Sequence, residues 1–86
     1  GRPNPFRGGG VSCDYALPSA VHAKLAVVDV TGRVVRVLVD AARDAGNHRA
    51  DWDGADERGK PAANGVYFLR LEAGGRVLTS KAVKAR

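Results

Sequence analysis

The sequence predicts an all-β fold, an Ig-like (Greek-key) β-sandwich of about seven short antiparallel strands. Three observations carry that prediction. Apolar and polar residues alternate in short runs, the period-two pattern of a half-buried strand. Turn signals built on glycine, proline and aspartate recur about every ten residues, the rhythm of sandwich strands. Valine is abundant while isoleucine and methionine are absent, and its branched Cβ suits a pleated sheet better than a helix.

The elements follow in order. Residues 1–10, GRPNPFRGGG, break regular structure and read as a linker leading into a domain over 11–86, with Phe6 as the linker's apolar anchor. VSCDYAL (11–17) places Val11, Cys13, Tyr15 and Leu17 on one strand face, and Pro18-Ser19 ends it. HAKLAVVDV (22–30) sets Ala23, Leu25 and Val27 opposite Lys24. Thr31-Gly32 then turns the chain into RVVRVLV (33–39), a hairpin that asks Gly32 for a positive φ. The density of valines around that glycine argues against a helix over 22–39. DAARDAG (40–46) predicts a polar loop with room for one helical turn.

HRADW (48–52) alternates again, with His48, Ala50 and Trp52 on one face. A long turn over 53–64 precedes VYFLRLE (66–72), whose Tyr67, Leu69 and Leu71 share a side. Gly74-Gly75 reverses the chain into the last strand, RVLTSKAVK (76–84). The expected core is Leu25, Val27, Trp52, Tyr67, Leu69 and Leu71.

Size and charge bound the function. Eighty-six residues make at most one domain, and such a chain buries only about 60% of its unfolded surface. A binding or structural module is the expected use, without room for a catalytic domain. The net charge is +5 and the pI about 10.0. Acids and bases are well mixed between Asp29 and Arg58, and the excess sits at the ends: Arg2 and Arg7, then Arg76, Lys81, Lys84 and Arg86. That is a basic tail rather than a basic face, and with one FRGGG copy and inward aromatics it argues against nucleic acid. No stretch approaches the roughly 20 apolar residues of a membrane-spanning helix. No apolar signal-peptide core is visible, and the Pro/Gly-rich start reads as a domain of a longer protein.

Asp51, Asp53, Asp56 and Glu57 crowd four of the nine acids into one short stretch and raise the question of a metal. A calcium loop needs oxygen ligands at alternate positions and a glycine after the third; here Ala55 takes the third place and Gly54 comes too early. Asp53-Gly54 and Arg58-Gly59 are turn dipeptides, where carboxylates cap their own backbone. His22 and His48 lack a spacing that brings in further ligands. Cys13, on an apolar face, behaves as a small hydrophobe and has no disulfide partner in the chain. No phosphate-loop, dinucleotide, HExxH or GxSxG motif is present. No catalytic residue, cofactor or metal is expected.

Four landmarks in order carry a resemblance. They are N-P-F at 4–6, V-x-D-x-x-G-R-V-V-R-x-L over 27–38, W-D-G-x-D-x-x-G-x-P-x-x-x-G-V-Y-F over 52–68, and the strand L-x-S-K-A-V-K over 78–84. Together they resemble the Ig-like domain of the flagellar hook-capping family. They are equally similar to its secreted relatives, the type A C-terminal sorting domains of type IX secretion cargo. The resemblance implies a non-enzymatic sandwich of a secreted or cell-surface bacterial protein. Asn4, Pro5 and Phe6 would open the domain, and Asp29 and Gly32 would form the first hairpin. Trp52, Asp53, Gly54, Asp56 and Gly59 would mark the long turn, and Gly65 and Tyr67 the strand after it. Lys81 and Lys84, with Arg86, would form a basic strand for partner recognition.

The leading expectation is a type IX sorting and anchoring signal. The outer-membrane secretion machinery would read it, with attachment to a cell-surface glycolipid on processing. The alternative is a structural Ig-like module that packs against neighbouring subunits of an extracellular filament or hook-like structure, for which an edge strand offers β-strand addition. A carbohydrate- or surface-binding module is a further alternative, resting on fold analogy. Lysines on an edge strand also guard it against unwanted pairing, which needs no receptor.

Overall fold

Alternating strands with one apolar side must bury that side against a second sheet, and this chain does so with six strands. The structure, a computed structural model, describes residues 11–85, so Asn4, Pro5, Phe6 and Arg86 lie outside it. The strands are β1 (Val11–Leu17), β2 (Val21–Asp29), β3 (Val34–Arg43), β4 (Gly46–Trp52), β5 (Gly65–Ala73) and β6 (Arg76–Lys84). β1 and β4 form a two-stranded sheet, and the second sheet runs β3-β2-β5-β6, antiparallel throughout. Against an expectation of about seven strands, six are present among the described residues, and no helix.

The core lies between the sheets. Leu25, Val27, Trp52, Tyr67, Leu69 and Leu71 are all buried, and Val11 joins Trp52, Leu25 and Val27 as the largest fully buried side chains. Register explains the set. Leu25 stands opposite Leu71 and Val27 opposite Leu69, while Val11 stands opposite Trp52. β2 is buried on both faces, since Ala26 and Val28 of its outer side are covered too. It is a central strand, and neighbours on β3 and β5 shield it from both sides.

The polar stretch 40–46 is not the loop its composition predicts. β3 continues to Arg43 and β4 begins at Gly46. Ala41 pairs with Ala23 and Asp40 with Lys24, so the ladder with β2 carries the strand through residues of low strand preference. On the outer face His22 Nε2 lies 2.6 Å from Asp40 Oδ1. Register shifts after Leu25 and after Val27 let Leu38 and Val35 also pack on the core.

The β2–β3 turn forms as its residues dictate. Gly32 has φ +87°, its N–H donates to Asp29 O at 2.9 Å, and the Asp29 carboxylate accepts from Thr31 N and Oγ1 and from Arg33 N. Nothing lies within 4 Å of a Cβ added at Gly32, so a side chain there meets backbone strain alone. Gly32→Ala is expected to cost about 1–2 kcal/mol, read as a lower urea midpoint with an unchanged slope.

Candidate functional site

The acidic loop after β4 is a structural joint. Asp53 Oδ1 accepts from Ala55 N at 3.0 Å, and Asp56 Oδ1 accepts from Arg58 N and Lys60 N at 2.9 and 3.0 Å. Gly59 N donates to Asp56 O at 3.0 Å with φ +83°, closing the tight turn. Gly54 is buried within the loop, where its carbonyl accepts from Ala62 N at 2.8 Å, and Gly65 opens β5. Among the described residues, no cluster of three metal-ligating side chains occurs. The carboxylates cap backbone, as their turn dipeptides suggest.

Two residues to which sequence reasoning assigns no partner tie this loop to β3. Arg36 Nη1 donates to Asp53 Oδ1 and Ala55 O at 3.2 Å and to Asp56 O at 3.3 Å. Glu57 Oε2 accepts the backbone N–H of Val37 at 2.6 Å. The loop therefore covers an edge of the four-stranded sheet, which would otherwise present open N–H and C=O groups. Both residues sit in the recognised motifs, yet their partners lie about twenty positions away, out of reach of local pattern.

Trp52 and Tyr67 close the same end from within. Their rings meet edge-on, with centroids 5.1 Å apart at 65°. Trp52 Nε1 donates to Ala55 O at 2.7 Å and Tyr67 Oη to Ala63 O at 2.5 Å, so each buried aromatic has its polar atom satisfied. Burial, aided by the Asp29 charge, pushes the Tyr67 phenol up.

Acid should loosen this joint and the β2–β3 turn. The Asp56 carboxyl is held below its usual range, chiefly by the Lys60 N–H, then by the Arg58 N–H and both side-chain charges. Asp29 is lowered mainly by the Thr31 hydroxyl, then by the Arg33 and Thr31 N–H groups. With folded pKa values below the unfolded value of about 3.9, both contributions are present above that pH and vanish as pH falls through the folded values. The urea midpoint is expected to drop below about pH 4, and Asp56→Asn to flatten that drop. Parallel acid limbs for both proteins would remove the capping role.

The basic strand is not one surface. Lys81 is exposed on the outer face of β6, opposite Phe68. Lys84 turns inward over Gly65 and is only 9% exposed, with Nζ 3.4 Å from Asn64 Oδ1. The two lysines are three residues apart, and odd spacing puts strand residues on opposite faces. The expected recognition triad of Lys81, Lys84 and Arg86 thus leaves only Lys81 exposed among the described residues.

A groove runs between β1 and β6, lined by Cys13, Tyr15, Leu17, Leu71, Arg76 and Leu78. Burial, then the Asp14 charge, raises the Cys13 thiol, in keeping with an inert lining residue. Tyr15 stacks on His48 at 5.3 Å. Leu78 opens the 78–84 landmark but is not among the residues expected to meet a partner. Its signal is legible in the sequence all the same, because the inward positions of β6 read Arg76, Leu78, Ser80, Ala82 and Lys84, unlike a covered face.

Comparison with known proteins decides the family, since residues 4–76 match the FlgD Ig-like domain. The chain belongs to the FlgD Ig-like domain family. The match takes in the N-P-F start and both central motifs and ends at the first residue of β6. The FlgD crystal structure from P. aeruginosa shares the fold at TM-score 0.69 and 22% identity, over 87% of this chain. This chain spans 60% of the length of that FlgD chain. Among curated proteins, none matches.

Proposed function

We propose that this domain is a structural packing module, an Ig-like unit through which its parent protein meets neighbouring subunits of an extracellular filament or hook-like assembly. The observation that carries the reading is the family match over residues 4–76 on a sandwich of the same fold. The loop geometry supports it, because Arg36 and Glu57 commit the acidic cluster to rigidity. A type IX sorting signal is the second reading and rests on the basic last strand. With Lys84 turned inward, Lys81 is its remaining support among the described residues. Secretion to the cell exterior belongs to both proposals.

The test compares the parent protein with and without residues 11–85. Loss of assembly, with the parent still produced and exported, is expected. A reporter carrying residues 1–86 separates the readings. If a type IX secretor exports it and Lys81→Glu blocks that export without unfolding the domain, the sorting reading wins and the packing reading falls.

A further inference from the structure

We infer that the seam between β1 and β6 is a strand-acceptor site, taking an extended segment of a neighbouring subunit. The inference rests on the packing function proposed above and names its surface. The sandwich has two seams. At one, β3 lies near β4, and the 53–61 loop straps the β3 edge through Arg36 and Glu57. At the other, β1 pairs only with β4 and β6 only with β5 among the described residues, so each has an open backbone edge.

The inner face of β6 shows what is missing. Leu78 pairs with Leu71 and points to the same side, yet Leu71 is 6% exposed and Leu78 53%. Arg76 and Ser80, on that same inward side, are exposed too, whereas Ala82 and Lys84 are covered. The seam is therefore shut at the end of β6 and open along its first half. Leu17, Val21, Leu69 and Leu71 form the floor of the opening.

The occupant follows from those walls. Open strand edges are satisfied by another extended backbone, which supplies N–H and C=O alternately. A strand laid beside β1 would cover Leu78 with every second side chain, so its inward positions must be apolar. Charge adds one requirement. Of the charged residues lining the groove, Asp14 is paired with Arg49 at 3.0 Å and Arg76 has no carboxylate partner among the described residues. An acidic residue near one end of the incoming strand would meet Arg76. The chain's own residues 1–7 carry Pro3 and Pro5, which leave one side of an extended strand without two donors, and the exchange test below separates them from a partner's strand. A second copy presenting β6 would bring Arg76, Lys81 and Lys84 together, which like charge opposes.

Amide hydrogen exchange tests this, on chain 1–86 alone and on the parent protein before and after assembly. In the free chain, the outward amides of 13–17 and 76–80 are expected to exchange at least about tenfold faster than their paired neighbours, and to slow about tenfold on assembly. Slow exchange in the free chain would show residues 1–7 in the seam and overturn the proposal. Slowing on concentrating chain 1–86 alone would indicate a second copy and overturn it as well. Assembly that protects only other parts of the domain sinks the seam and leaves the packing function standing. Assembly that protects no amide of the domain sinks both. Leu78→Glu, at an exposed position, should keep the melting midpoint and weaken assembly at least about tenfold, with Leu78→Val retaining it. Undiminished assembly of Leu78→Glu also overturns the site.

Discussion

Trp52→Ala should destabilise the domain by about 3–5 kcal/mol, the range for emptying a large aromatic site in a core. Three losses combine at this residue. The indole is 1% exposed and lies opposite Val11 across the β1–β4 pair, so the cavity opens on the apolar face of the smaller sheet. The edge-on contact with Tyr67 disappears. The hydrogen bond to Ala55 O goes as well, although Arg36 still donates to that oxygen. A domain of this size holds about 5–15 kcal/mol in total, so the variant sits near its unfolding threshold. Trp52→Phe should recover much of the loss, since it keeps a ring against Tyr67 and forfeits mainly the indole donor. Urea melts decide the matter, and an unchanged midpoint for Trp52→Ala would show that the ring does not carry the core.

Arg36→Met is expected to cost about 2–3 kcal/mol, the upper range for hydrogen bonds made by a charged donor. One guanidinium group holds Asp53 Oδ1, Ala55 O and Asp56 O. Methionine keeps much of the stem's packing, so the change isolates the polar strap. Its effect should be regional as well as global. Residues 53–61 would come off β3, and proteolysis within the loop should accelerate well beyond what the drop in global stability explains. Asp53 is 66% exposed, so its ion pair with Arg36 is a minor share of the total. Asp53→Asn alone should therefore be mild, and the two carbonyl acceptors carry the strap. A loop that resists protease equally in Arg36→Met and the parent sequence would refute the strap.

Much of this fold is legible locally. β1 over Val11–Leu17 and β6 over Arg76–Lys84 have the expected bounds, because proline or paired glycines punctuate them. Gly32 takes its positive φ because the turn offers no other way round, and Asp29 and Asp56 cap turns because short carboxylates do so wherever N–H groups converge. Residues 40–43 look like loop in isolation and become strand because β2 offers a ladder. Arg36 and Glu57 likewise find partners that no local window contains. Lys84 is a different case. Period two alone places it on the face opposite Lys81, so phase, and not basic composition, is the signal that governs the last strand.

Alternation and turn chemistry are written into neighbouring residues, so the fold class, the core and the capping role of DWDGADERGK are decided within windows of about ten residues. Which edges stay open is decided elsewhere. Arg36 and Glu57 close one seam, and Leu78 lies bare in the other, through partners that meet only after distant strands pair. Backbone satisfaction and side-chain cover are properties of that assembled neighbourhood. No local stretch of chain encodes them.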